Sequence, residues 1–269
     1  MTDTVSAAAP LVLEALEGGV LTLMMNRPER LNALNVELGI DLDSALGRAA
    51  EDANVSVVVL TGAGRAFCSG GDLGLIREAR ESGEVRRLEP LLRAGCKLIV
   101  RMRNMAKPII AAVNGAAAGA GLNVALACDM RIAAEQATFG ENFARVGLFP
   151  DYGGTYLLPR LVGPAHAAEL LYLGHMINAR EAERIGLVNH VVANDQLLPE
   201  ARTLASRLAD SPPLAVRALK QVLFASDRAE MERALELEIQ QQMKCFASAD
   251  AGEGIRAFFE KRAPKFEGK

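Results

Sequence analysis

Two short runs that favour β-structure, "LVLEALE" and "VLTLMMN", flank Gly18-Gly19, which predicts a hairpin. In "NVELGIDLDSALGRAAED", Leu38, Leu42, Leu46 and Ala49 recur at spacings of four, four and three. That period makes one apolar stripe on a helix, with Asn35 placed as its N-cap. "VSVVVLTG" is a continuous valine-rich run and reads as a buried strand. A helix containing "LLRAGCKLIVRMRNM", a second buried strand "KPIIAAVNG", a helix "GAGLNVALACD" and a short strand "MRIAA" follow. Strand and helix alternate, so this part of the chain is expected to be α/β with parallel strands. After about residue 195 the strand signal stops. "QLLPEARTLASRLAD", "PPLAVRALKQVLFAS" and "AEMERALELEIQQQMKCFA" read as amphipathic helices separated by Ser-Pro-Pro and Ser-Asp. The expected division is a core, 1–195, and a helical region, 196–269, whose apolar faces pack on the core or on another subunit.

Composition narrows the classes. Of 269 residues, 50% are apolar, ample for a large core, and without tryptophan that core must be mostly Ala, Leu, Val and Ile. The net charge of −3 and the lack of a dense Lys/Arg cluster argue against nucleic acid. Pro108 to Cys128 carries no charge and is long enough to span a bilayer. It also contains Asn114, Asn123 and three glycines, and most of its apolar character is alanine, so a buried strand, a tight turn and a buried helix explain it better than a membrane span. Cys68, Cys96, Cys128 and Cys245 are scattered, with no metal-like spacing, and read as free thiols in a reducing cytosol. The first ten residues have an acidic Asp3 and neither a basic residue nor a long apolar core, which suits a cytoplasmic protein better than a leader peptide.

Three glycine-rich junctions are candidates for chemistry: "GAGRAFCSGGDL" after the first buried strand, "VNGAAAGAGLN" after the second, and "ARVGLFPDYGG" at 144–154. Glycines at strand ends let a ligand approach the backbone. The dinucleotide fingerprint G-x-G-x-x-G fails at both early junctions, where Phe67 and Val124 occupy the third glycine position. P-loop lysine and G-x-S-x-G serine are also missing, and the first histidine is His166, so a Ser-His-Asp hydrolase is disfavoured. What the junctions can supply is backbone N–H groups, and two of them aimed at one point make an oxyanion hole for a thioester enolate. The second also opens a helix, whose N-terminus adds positive potential. Asp151, after Pro150 and before Tyr152-Gly153-Gly154, is either turn chemistry or the working carboxylate.

"NRPERLNALN", "GAGRAFCSGGDL", "NGAAAGAGLNVALACDMRIAAEQATFG", "VGLFPDYGGTYLLPRLVG" and "EGIRAFFEKRAPKF" occur in order and at suitable spacing. Together they resemble the enoyl-CoA hydratase/isomerase (crotonase) superfamily over nearly the whole chain. The resemblance implies a spiral of βαβ turns forming two roughly perpendicular sheets, and a C-terminal α-helical region that builds trimers, commonly paired into hexamers. It implies an acyl-CoA thioester substrate and neither metal nor redox cofactor. By position, the oxyanion donors would be the N–H groups of Gly71 and Ala120. Ser69, Gly70, Asp72 and Leu73, with Arg30 and Leu31, would line the CoA and substrate path. Phe258 and Lys261 match a segment that reaches a neighbouring subunit's CoA.

The hydratases of this family place two glutamates around the thioester; here those positions hold Asn123 and Phe143, neither able to transfer a proton. Glu141, two residues from the second, would in a strand keep its face but sit about 7 Å away, and is not taken as a substitute. The run around Asp151 looks most like ring-1,2-epoxyphenylacetyl-CoA isomerases and relatives that shift enoyl-CoA double bonds, acting in phenylacetate or fatty-acid breakdown. That resemblance implies Asp151 as proton shuttle, with Asn123, Phe143 and Pro150 around the substrate. The competing readings are a hydratase-like lyase of altered mechanism, a dehalogenase or thioester hydrolase with Asp151 as nucleophile, and a non-catalytic acyl-CoA- or RNA-binding relative.

Overall fold

Gly18 and Gly19, both at positive φ, reverse the chain between β1 (Val12–Glu17) and β2 (Val20–Met25), which pair antiparallel as the hairpin pattern predicts. The computed structural model describes residues 9–225 and 228–269. From β2 the chain winds through α1 (Val36–Glu51), β3 (Val57–Gly62), β4 (Ala66–Cys68), α2 (Leu73–Glu81) and α3 (Glu89–Asn104). Then come β5 (Ile109–Val113), β6 (Ala116–Ala118), α4 (Ala120–Ala127), β7 (Met130–Ala134) and β8 (Thr138–Gly140). After α5 (Gly154–Leu173), β9 (Ile177–Asn178), α6 (Ala179–Arg184) and β10 (His190–Val192), the rest is helical: α7 (Leu197–Ala209), α8 (Pro213–Ala225), α9 (Arg228–Ala247) and α10 (Ala249–Glu260).

The strands form two sheets, ordered β1-β2-β3-β5-β7-β10 and β4-β6-β8-β9. Successive turns of the chain contribute one strand to each: β3 then β4, β5 then β6, β7 then β8. All pairings among these are parallel. This is the repeated βαβ winding that the resemblance implied. Period-two alternation divides the large sheet's residues between two cores. Val58, Leu60, Ile109 and Ala111 face the main core, whereas Val57, Val59, Ile110 and Ala112 face a second one, closed by Leu197, Ala201 and Ala205 of α7. Burial on both faces explains why these strands are apolar without a break.

The predicted α1 stripe is buried, and Asn35 Oδ1 accepts the Leu38 N–H at 3.0 Å as the N-cap. The small sheet was not foreseen in the sequence: its strands have three residues or fewer, too short to display a period. α5 is two helical segments that meet at Gly163 (φ 77°), before Pro164. The helices beyond 196 are not an appendage. α7 closes a core, while α9 and α10 pack on α3, α5 and α2. No helix among the described residues is long and apolar enough to cross a membrane.

Candidate active site

β4, β6 and β8 lie side by side and run parallel, so their C-terminal ends meet. The residues that leave the ends of β4 and β6 therefore share one wall of a cavity: Ser69–Asp72 and Gly119–Ala120. A β-carbon on Gly70 (φ 103°) would sit 2.9 Å from the Ala118 carbonyl oxygen and 3.8 Å from the Ala120 nitrogen, which measures how closely the first two junctions adjoin.

Gly71 pairs as an isolated parallel bridge with Leu34. The Leu34 N–H donates to the Gly70 carbonyl at 2.7 Å, and the Leu34 carbonyl accepts from the Asp72 N–H at 2.9 Å. In that pattern the Gly71 N–H points away from the bridge partner, leaving it as a free donor. Ala120 is the first residue of α4, where an N–H has no partner within the helix. Both residues line a cavity of about 880 Å³. Asp72 caps α2, accepting the Gly74 N–H at 3.1 Å, and pairs with Arg27 at 3.3 Å, so its carboxylate is already engaged.

The opposite wall is the segment between β8 and α5. Asp151 is buried and lines the cavity, with Phe143 and Leu148 beside it. Side chains from two other helices, α4 and α9, hold this segment by hydrogen bonds. Asn123 Nδ2 of α4 donates to the Asp151 carbonyl at 2.7 Å. Glu238 of α9 accepts the Gly153 and Thr155 N–H groups at 2.7 and 2.9 Å. Gln242, one turn further along α9, accepts the Phe149 N–H at 2.9 Å, and its Nε2 donates to Asp151 Oδ2 at 3.2 Å. Asp151 Oδ1 has no partner. Burial pushes the Asp151 carboxyl up to about 8; the Gln242 bond works against that shift and the Glu238 charge adds to it.

Tyr152 takes the left-handed conformation (φ 53°), uncommon for a bulky residue. Its ring fills the space that Gly95 of α3 leaves open: a β-carbon there would lie 2.2 Å from the ring.

The structure brings Arg30, Leu31, Ser69, Gly70, Gly71, Asp72, Leu73, Ala120, Phe143, Asp151, Phe258 and Lys261 around this one cavity. Two expectations need correction. Asn123 is fully buried behind the wall, its Nδ2 bonded to the Asp151 carbonyl and its Oδ1 unpartnered, and does not line the cavity. Pro150 does not line it either. Phe258 and Lys261 line the cavity of their own chain, because α10 folds back onto α2. Glu141 also differs from the strand-based estimate. β8 ends at Gly140, so Glu141 lies beyond it, fully buried, with neither carboxylate oxygen partnered. Burial, then the charges of Glu238 and Asp151, push its carboxyl well above the usual range.

Glu238, Gln242 and Tyr152 were not singled out in the sequence. A signal existed for the first two. On α9 they fall in phase with the buried Leu235, Ile239 and Phe246, and polar residues in an apolar stripe must find partners. Among the described residues no group of three or more His, Cys, Asp or Glu could hold a metal ion.

Residues 15–269 match the enoyl-CoA hydratase/isomerase family, and the chain belongs to it. It is 40% identical to a crotonyl-CoA hydratase of Syntrophomonas wolfei over 96% of this chain and 98% of that protein. It is also 40% identical to the 1,2-epoxyphenylacetyl-CoA isomerase of Escherichia coli, with the same coverage. A crystal structure of an enoyl-CoA hydratase from Mycobacterium avium subsp. paratuberculosis superposes with a TM-score of 0.86 at 32% identity, covering 96% of this chain and 99% of that one. The protein is thus a crotonase-family enzyme of the acyl-CoA hydratase/isomerase type.

Proposed function

We propose that the protein is an acyl-CoA isomerase that shifts a double bond or opens a ring epoxide. The Gly71 and Ala120 N–H groups stabilise the thioester enolate, and Asp151 moves the proton. The observation that carries this reading is Asp151 itself: a buried carboxyl on the cavity wall, raised to about 8, with one oxygen unpartnered. A carboxyl poised near neutrality can both take and return a proton. Isomerisation needs only one such group, because the proton removed from one carbon is delivered to another. Support also comes from Asn123, an amide bound to backbone, and from Phe143, an apolar wall where a water-handling carboxylate would otherwise stand.

Arg30 and Lys261 at the cavity suit the phosphates of CoA, which would enter as part of the substrate, with no metal or redox cofactor. Exposed Leu214, Leu219, Val222 and Leu223 on α8 suit burial in a homotrimer or hexamer. The proposed setting is cytoplasmic fatty-acid or phenylacetate-type catabolism.

A hydratase reading has one observation in its favour. Glu141 is a second buried carboxyl, close enough to Asp151 for their charges to interact. It does not line the cavity. The deciding experiment is proton exchange in deuterated buffer, followed by NMR and mass spectrometry on enoyl-CoA and ring-epoxide CoA thioesters. In Asp151→Asn, isomerisation and α/γ exchange should fall by about 10³-fold or more. Unchanged turnover would sink the isomerase mechanism and direct attention to Glu141.

A further inference from the structure

Glu238 and Gln242 stand four residues apart on α9, hence on one face, and both reach the segment that carries Asp151. The Gln242 amide has only one possible orientation. The Phe149 N–H can only donate, so the atom facing it is Oε1, and the NH₂ group therefore faces Asp151 Oδ2. An oxygen that accepts this bond is not the one that carries the carboxyl proton. Oδ1, fully buried and without a hydrogen-bond partner, is left for that task.

We propose that Gln242 is a positioning residue that designates Oδ1 of Asp151 as the oxygen that takes and returns the substrate proton. The proposal rests on Asp151 being the proton shuttle. In the forward step a substrate C–H bond breaks, its electron pair moves into the thioester as an enolate, and an Oδ1–H bond forms. In the return step Oδ1–H breaks and a C–H bond forms at another carbon as the enolate pair moves back. Oδ2 stays bonded to Nε2 throughout, so the carboxyl cannot rotate to exchange its oxygens. The same amide holds the Phe149 N–H, which ties the carboxyl's orientation to the cavity wall.

Several titratable groups face Asp151: Glu238 from α9, Glu141 beyond β8, Cys96 from α3 and the adjoining Tyr152. The Glu238 charge favours its protonated form. Gln242 is the neighbour whose hydrogen bond favours its charged form.

The test is the pH dependence of kcat and KM for wild type, Gln242→Met and Gln242→Glu. It is paired with an infrared titration of the Asp151 carboxyl, identified by its loss in Asp151→Asn. In Gln242→Met the acid limb of the rate profile and the infrared midpoint should both move up by about one pH unit, the scale of one lost charge-assisted bond. KM should change little, and much of the rate should return at high pH. Gln242→Glu should move the midpoint further, because a like charge replaces the donor. A midpoint unmoved in both variants overturns the proposal, whatever the loss of rate or stability. The infrared arm needs no turnover, so it separates the two ideas. Exchange that survives Asp151→Asn overturns the shuttle reading, and an unmoved midpoint overturns the part played by Gln242.

Discussion

The two walls of the cavity are built on different principles. The wall at the ends of β4 and β6 offers main-chain N–H groups, held by strand pairing and by the first turn of α4. Its donors depend on backbone path, and side chains matter there mainly where they must be absent, as at Gly70. The wall at 147–155 offers one carboxyl. It is held by side chains of Asn123, Glu238 and Gln242, of which Gln242 lies 91 residues from Asp151. One wall is secured by main-chain hydrogen bonds, the other by hydrogen bonds from side chains. The first should tolerate side-chain changes and fail on loss of a donor; the second should respond to packing and to pH.

After Asp151→Asn, the largest effect is expected from removing a donor in the first wall. Ala120→Pro deletes the N–H at the opening position of α4, a position where a helix has no partner for that N–H. Isomerisation should fall by about 10²–10³-fold, with thermal stability nearly unchanged. A rate within a few-fold of wild type would show that this N–H does not bear on the enolate.

The second wall can be broken from a distance. Gly95→Ala places a β-carbon where the Tyr152 ring lies. Overpacking should cost about 1–3 kcal/mol in urea denaturation, and proton exchange should fall with it, since Tyr152 adjoins Asp151. Lost stability with undiminished exchange would mean that the carboxyl's position does not depend on the seat of Tyr152.

A smaller, graded effect sharpens the contrast. The folded chain holds the Asp151 proton up to about pH 8, whereas a free aspartate releases it near 3.8. Between those values the native state binds more protons than the unfolded state, so stability should fall as pH rises through that window. The slope should be on the order of 1 kcal/mol per pH unit, readable as melting temperature from pH 5 to 8. Asp151→Asn should flatten it in part, because Glu141 and Glu238 shift in the same direction. An equal slope in the variant would remove Asp151 from the explanation.

The hairpin, α1 with its Asn35 cap, the buried strands β3 and β5 and helices α7, α8 and α9 were legible because each carries a long or unbroken pattern. The small sheet was not, because two or three residues carry no period, and its strands exist only by pairing with one another. Asn123 was expected at the substrate and instead supports the Asp151 backbone. A sequence position one turn into a helix does not reveal which way the cavity lies.

What the sequence determined by itself was the repeated strand–helix winding, the glycine junctions and the presence of Asp151 between Pro150 and Tyr152, because patterning and backbone freedom are local properties. Only the tertiary structure decided that three strand ends meet and that α10 returns to the cavity of its own chain. It also decided that α9 supplies Glu238 and Gln242 to a loop far away in the chain. Burial and hydrogen-bond partners are set by what packs against a residue, and it is burial that raises the Asp151 carboxyl toward neutrality.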